Sequence, residues 1–197
     1  KMLHMINNSL DLYHMEEGTY EIEYESFELC ELLEEQRREV ASLAQMKGIA
    51  LEYRYIPPEA EGSIVIEAER IKIASMLANL IQNAMEASPK GTRVTVTVDA
   101  RREELVKLDI HNTGTIPEEI RSSFFECYVT SGKRDGTGLG TYSARLIAEA
   151  HGGAIDFTTS ETGGTHLFVQ LPRTQRLRAD SKHSNRPTAR RDGAPAH

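Results

Sequence analysis

Residues 79–87 read NLIQNAMEA, and they sit inside a run from about Glu69 to Ser88 in which Ile73, Leu77, Leu80, Ala84 and Ala87 recur at spacings of four and three. That period predicts a helix with one apolar stripe turned to a core. Asn79 and Asn83 fall four residues apart on another side of the same helix. Asn is a poor helix former because its amide competes for backbone hydrogen bonds, and a merely solvated face more readily uses Glu, Lys or Gln. Two asparagines in one register therefore mark either a polar surface or a ligand site, and the helix by itself leaves both open.

Downstream, Pro89 and Gly91 stop the helix, and Val94, Val96 and Val98 alternate in a strand; Val106, Leu108 and Ile110 alternate in a second. A tight turn follows, Asn112-Thr113-Gly114-Thr115-Ile116-Pro117, then a short helix expected around Phe124 and Phe125 and a charged, glycine-rich loop. Gly136-Thr137-Gly138-Leu139-Gly140 leads into a helix expected from about Gly138 to His151, and two strands, near 154–159 and 165–171, close the pattern around Gly163 and Gly164. Three glycines at a helix start exceed what a cap requires. Glycine lets the backbone approach a ligand closely, and unpaired N–H groups at a helix start attract anions, so a polyphosphate is the natural guest.

Upstream, Leu3, Ile6, Leu10 and Tyr13 form the seam of a helix that packs on another helix, with Gly18 as its stop. Tyr20, Ile22 and Tyr24 alternate with Glu21, Glu23 and Glu25, which predicts a half-buried strand over 19–25. Ser26 is the expected cap of a helix carrying Leu29, Leu32, Leu33, Val40 and Leu43, and strands are expected over 49–55 and 63–66 around the Pro57-Pro58 turn. The sum is an α+β layer with helices on one face of a largely antiparallel sheet.

Composition narrows the function. At 197 residues, 39% hydrophobic and 27% charged, the chain suits one compact domain with appendages. No stretch approaches the roughly 20 apolar residues of a membrane span, and no secretory signal opens it; Lys1 already lies in helical register, as in an excised fragment. Cys30 and Cys127 form no CxxC pair, which argues for a reducing cytosol and against zinc. Residues 173–197 carry seven Lys or Arg against two Asp, so of the net −7 this tail is +5 and residues 1–172 are −12. Without aromatic residues or period, the tail has the composition of a disordered segment rather than a nucleic-acid binder.

Taken together, NLIQNAMEA at 79–87, NTGTIP at 112–117, FFECYVTSGK at 124–133 and GTGLG at 136–140 resemble, in order and spacing, the Asn box and glycine boxes of the GHKL ATPases, the superfamily of histidine kinases, DNA gyrase, Hsp90 and MutL. The likeness spans about residues 69–171. It implies a Bergerat-type two-layer α/β sandwich with a mixed, largely antiparallel sheet. Residues 1–18 resemble the second helix of the dimerisation and phosphotransfer hairpin of sensor histidine kinases, leaving 19–172 as the catalytic ATP-binding domain and 173–197 as tail or linker. Gyrase, Hsp90 and MutL carry a glutamate that activates water four residues before the metal-binding Asn, where this chain has Asn79. The resemblance thus implies phosphoryl transfer to a protein rather than hydrolysis.

It further implies ATP and Mg²⁺ as cofactors, with Asn83 as the metal ligand, and Asn79 and Lys133 as catalytic residues at the phosphates, Arg134 beside them. Asn112 meets adenine over Gly114; Gly136, Gly138 and Gly140 offer N–H groups to phosphate; Ile116, Thr130, Thr137, Leu139 and Thr165 complete the nucleotide site. The implied partners are a histidine-bearing hairpin helix of the same protein or its dimer mate, a response regulator receiver domain, and a second copy of the whole protein as a homodimer, but no nucleic acid. The implied place is the cytoplasm, in a whole protein that is either free or membrane-anchored. The loop over 127–137 would act as a lid.

The chain departs from the family pattern in that Asn112 stands where the box carries Asp, the turn is one residue shorter with Ile116 beside the missing glycine, and Glu86 replaces a frequent Lys. An amide can accept or donate, so by residue type either end of Asn112 could face the base. No histidine stands before Asp or Glu on a first hairpin helix; His4, His14, His111 and His151 read as structural. Two other readings stay open: a degenerate GHKL docking module (a histidine phosphotransferase or pseudokinase) without ATP turnover, and an anti-sigma-factor type serine kinase, which would need no hairpin helix.

Overall fold

The computed structural model describes residues 10–129 and 138–174. Five strands, β2 (Ala50–Ile56), β4 (Arg93–Asp99), β5 (Leu105–Asn112), β7 (Gly164–Pro172) and β6 (Ala154–Ser160), form one sheet in the order β2-β4-β5-β7-β6. The β2–β4 pair is parallel and the other three are antiparallel. Register explains the core: Val96 lies opposite Ile110 and Ile110 opposite Leu167, while Val98 lies opposite Leu108 and Leu108 opposite Val169. All six are buried and share one face, which α2 (Leu29–Lys47), α3 (Arg70–Ala87) and α5 (Gly140–Ala150) cover through Leu32, Leu33, Ile73, Leu77, Leu80, Ala144 and Ile147. The result is the expected two-layer α+β sandwich, helices on one side of a mixed sheet.

The other face carries Lys107, Asp109 and His111 of β5 and His166 and Phe168 of β7. His111 and His166 stack at 4.2 Å, His166 Nδ1 meets the Asp109 carboxylate at 3.0 Å, and His111 Nε2 meets the Gly163 carbonyl at 3.0 Å. These histidines brace the outer face of the sheet.

Several local expectations need correction. Tyr20, Ile22 and Tyr24 do alternate in exposure with Glu21, Glu23 and Glu25, yet the ladder begins only at β1 (Glu25–Glu28), paired antiparallel with β3 (Val65–Ala68). Alternation reports faces, whereas a strand also needs a neighbour, and β3 offers only four residues. Because the strand runs through Ser26, the helix cap moves to Glu28, whose Oε2 accepts from Glu31 N–H at 2.9 Å. The strand expected over 63–66 is β3, two residues later. The short helix α4 spans Glu118–Arg121, and Phe124 and Phe125 follow it, their rings packed on Phe157. α5 starts at Gly140, not Gly138, whose φ of 67° is left-handed.

Residues 10–16 are helical (α1), the described end of the predicted first helix. Their expected seam residues Leu10 and Tyr13 are exposed, while Met15 is buried and Leu12 half-buried against the core. Asp11 pairs with Lys72 at 2.5 Å, Tyr20 donates to Glu69 at 3.0 Å, and the Lys72 ammonium lies 5.4 Å from the centre of the Tyr20 ring. Arg173, counted by charge with the tail, is tied to the body: its N–H donates to the Glu104 carbonyl and its carbonyl accepts from Glu67. The rest of the tail, from residue 175, lies outside the described residues. Among those described, no helix is long and apolar enough to cross a membrane.

Candidate nucleotide site

α3 and α5 pack side by side over the sheet, and Asn79 and Asn83 of α3 lie beside the start of α5. Gly140 opens that helix, and Leu139 before it makes no side-chain cap hydrogen bond. The first amides of a helix have no partner within it and carry the positive end of its dipole, an arrangement that attracts phosphate. A Cβ on Gly140 would sit 3.5 Å from Asn83 Nδ2 and 3.7 Å from Asn79 Oδ1. Both asparagines, half-buried, thus turn toward the head of α5, and Asn79 Nδ2 donates to Ser143 Oγ at 3.3 Å, one turn along. The face that residue spacing left open is turned to the start of α5. Ser143 went unnoticed in the sequence, although its place three residues after Gly140 puts it on the same face.

The second part of the candidate site is the Asn112 turn. Asn112 ends β5, 2% exposed, and its Nδ2 donates to the Gly114 carbonyl at 3.3 Å. Gly114 is required by space: a Cβ there would meet the Ala87 carbonyl oxygen at 2.3 Å. That carbonyl belongs to the end of α3, which is held in place from α2. Lys47 Nζ donates to the Met85 and Glu86 carbonyls at 2.8 Å each, and Ser88 Oγ donates to Ala84 at 2.7 Å. The helix bearing Asn83 and the turn bearing Asn112 are thereby locked at one junction.

Thr165 bonds to this turn, its hydroxyl donating to the Gly114 carbonyl at 2.8 Å. Ile116 is buried and spends its N–H on Thr159 Oγ1 at 3.1 Å. Leu139 is half-buried against the core beside Gly140. At Gly138 the chain meets Tyr128, which donates its N–H to the Gly138 carbonyl at 3.0 Å; a Cβ on Gly138 would lie 2.5 Å from the Tyr128 carbonyl carbon. Thr130, Lys133, Arg134, Gly136 and Thr137, and most of the expected lid, lie outside the described residues.

The structure thus brings Asn79, Asn83 and Gly140 together at the head of α5, and Asn112, Gly114, Ile116 and Thr165 together at the turn after β5, which meets the end of α3 at Ala87. By their chemistry, the turn suits a flat base and the helix start suits phosphate. Among the described residues, no group of three or more His, Cys, Asp or Glu could hold a metal ion. Of the histidines, His151 is buried, its Nδ1 bonded to the Ile147 carbonyl and its Nε2 accepting from Glu69 N–H, so it serves the start of α3. His14 is exposed beside Thr19.

Comparison with known proteins agrees with this fold. Residues 68–175 match the family model of the histidine kinase-, DNA gyrase B- and HSP90-like ATPases. The chain is 28% identical over 172 residues to the sensor protein DivL of Caulobacter vibrioides, covering 86% of this chain and 22% of DivL. It is 30% identical over 178 residues to an uncharacterised sensor-like histidine kinase of Rhizobium meliloti, covering 87% and 33%. The chain therefore spans between about a fifth and a third of these relatives. The catalytic domain of histidine kinase ThkA superposes with a TM-score of 0.67 at 28% identity, covering 77% of this chain and 99% of that one. ThkA in complex with the response regulator TrrA matches at a TM-score of 0.65 and 24% identity, over 88% and 49%. With the family model covering more than half its length, the chain belongs to the histidine kinase-, DNA gyrase B- and HSP90-like ATPase family.

Proposed function

We propose that this chain is the ATP-binding catalytic part of a sensor histidine kinase, which transfers the γ-phosphoryl group of ATP to a histidine on a hairpin helix for relay to a response regulator receiver domain. One observation carries the reading: Asn79, Asn83 and Gly140 meet at the start of α5, and the turn after β5 opens on a buried Asn112 and packs against the end of α3; we read these as the two sides of one nucleotide groove. Mg²⁺ is a hard cation that keeps most of its waters and takes few protein ligands, so one carboxamide oxygen, that of Asn83, with phosphate oxygens suits it. The bound metal would neutralise phosphate charge. The protein's own part is positioning: the α5 amides hold the phosphates, Asn79 is braced by Ser143, and Asn112 takes the base.

Asn79 occupies the place from which a carboxylate could activate water, which favours transfer to a protein over hydrolysis. Residues 1–18 read as part of the hairpin, 19–172 as the catalytic domain and the remainder as tail. The outward face of α1, with Leu10 and Tyr13, is then the side left for the other hairpin helix in a homodimeric whole protein. The ThkA complex with TrrA supports a receiver domain as the downstream partner. Calorimetry with ATP, with and without Mg²⁺, tests the site, and Asn83→Ala should abolish the metal effect while the fold persists. Equal affinity in both conditions would remove Asn83 from the metal. Incubating the chain with labelled ATP and a separate histidine-bearing hairpin should give acid-labile phosphate on the hairpin; its absence, with ATP bound, would favour the docking-module reading.

A further inference from the structure

Asn112, Thr165 and Thr159 stand in one row across three strands: Asn112 opposite Thr165 in β5–β7, and Thr165 opposite Thr159 in β7–β6. A chain of hydrogen bonds runs along the row. Ile116 N–H donates to Thr159 Oγ1 at 3.1 Å, Thr159 Oγ1 and Thr165 Oγ1 are 2.9 Å apart, and the Thr165 hydroxyl donates to the Gly114 carbonyl at 2.8 Å. A hydroxyl has one proton. That of Thr165 goes to Gly114, so Thr159 must donate between the two threonines and receive Ile116 on a lone pair. Every proton in the relay then has one direction.

The relay ends on the carbonyl that orients Asn112. Gly114 O accepts from both Thr165 Oγ1 and Asn112 Nδ2, so its two lone pairs are engaged. Turning the Asn112 amide over would set its oxygen against that carbonyl, two acceptors with no proton between them. The amide end is therefore fixed, and Oδ1, with no hydrogen bond to it among the described residues, is the end left for a ligand. The sequence left either end of Asn112 open, and the neighbours decide it.

Resting on the reading of this groove as the nucleotide site, we infer that Thr159 is a positioning residue for base selectivity. Through Thr165 and Gly114 it holds the Asn112 carboxamide as an acceptor, which matches the 6-amino donor of adenine and rejects bases carrying a 6-oxo acceptor there. Nothing in the family motifs points to this position; the signal is its register with Thr165. Thr159 touches no base itself and acts only through the turn.

The test compares ATP with ITP, whose base carries 6-oxo in place of 6-amino, by calorimetry on the intact chain as wild type, Thr159→Val and Thr159→Ser. Wild type should prefer ATP by about 10-fold or more, since a mismatched donor–acceptor pair leaves buried groups unpaired. Thr159→Val should narrow that ratio by at least about 3-fold, and Thr159→Ser, which keeps the hydroxyl, should restore it. Hydrogen exchange at the Ile116 amide should quicken in Thr159→Val alone, which reports the broken relay without any nucleotide. An unchanged ATP to ITP ratio in Thr159→Val, with Ile116 exchange faster, would reduce Thr159 to a structural hydroxyl and overturn the inference. Failure of wild type to bind either nucleotide would instead strike the reading of the groove, and the inference with it.

Discussion

A methyl group added to Gly140 would lie 3.5 Å from Nδ2 of Asn83, an ordinary van der Waals contact made in the middle of the proposed phosphate site. The fold has room for it, and Ala is the better helix former by up to about 1 kcal/mol in a helix interior, less in a first turn. Gly140→Ala should therefore leave the melting temperature unchanged or slightly higher while weakening ATP binding by about 10-fold, because the methyl stands between the asparagines and the α5 amides. Thermal melts and calorimetry on the same variant check both halves. Full affinity would mean that phosphate binds elsewhere.

Gly114 should behave in the opposite way. Its added Cβ would meet the Ala87 carbonyl oxygen at 2.3 Å and carbon at 2.9 Å, and backbone fixed by Lys47 cannot step aside as a side chain could. Gly114→Ala is expected to destabilise the domain by about 2–4 kcal/mol, in the range of overpacking and strain combined. Urea unfolding measures this directly, and a loss below about 0.5 kcal/mol, the scatter of neutral surface changes, would show the junction to be loose.

The α1 contacts predict a separable effect. Lys72 joins Asp11 and lies over Tyr20, so Lys72→Met keeps the stem but removes both attractions. The pair is partly exposed, which limits its worth to about 1 kcal/mol. Hydrogen exchange in residues 10–20 should rise while ATP affinity stays within about 2-fold, the groove being untouched. A fall in affinity with unchanged exchange would place Lys72 in the site instead.

Alkaline pH should act on a second contact of α1, that of Glu16 with Tyr142. Burial, followed by the hydrogen bond to Glu16, pushes the Tyr142 hydroxyl up to about 12. A group whose folded pKa is raised contributes stability that is complete below the unfolded value, about 10, and is lost as pH rises through the folded one. Stability should thus decline between about pH 10 and 12, and Tyr142→Phe should flatten that stretch. Burial raises Tyr20, Tyr53 and Tyr55 too, so some decline will persist in the variant.

Much of this was legible in the residue pattern because the signals were periodic. The stripe Ile73, Leu77, Leu80, Ala84 is the buried face of α3, and Val96, Leu108 and Ile110 are the core of the sheet. The asparagines and glycines of the groove could be picked out because each residue type is costly where it stands. The parallel β2–β4 pairing was invisible, since a strand's own sequence does not state the direction of its neighbour. β1 was misplaced because alternation over 19–25 carried no information about where β3 ends. Ser143 and Thr159 escaped because they act through contacts between elements, Asn79 with Ser143 across α3–α5 and Thr165 with Thr159 across β7–β6, which no single segment displays.

Asn112→Asp sets two effects against each other. By residue type alone, a carboxylate facing an adenine amino group should bind ATP about 1 kcal/mol more tightly, because charge-assisted hydrogen bonds are roughly twice as strong as neutral ones. The structure adds costs that the residue type conceals. Asn112 is 2% exposed and gives its Nδ2 to the Gly114 carbonyl, so the substitution deletes one bond of about 1 kcal/mol and brings an anionic oxygen to a carbonyl already engaged by Thr165. If the Thr165 hydroxyl swings to the new carboxylate, Gly114 loses its remaining donor, so either arrangement is one hydrogen bond short. A buried charge with too few partners favours its neutral form, which lowers stability most where it is ionised. Asn112→Asp should therefore destabilise the free domain by about 1–3 kcal/mol at pH 8, regain part of that at pH 5.5 as the carboxyl takes up a proton, and bind ATP within about 3-fold of wild type. Urea midpoints at the two pH values and calorimetry at pH 8 decide it. ATP binding tightened 10-fold at unchanged stability would mean that the amide is not held by Gly114, and that residue type alone had been the better guide.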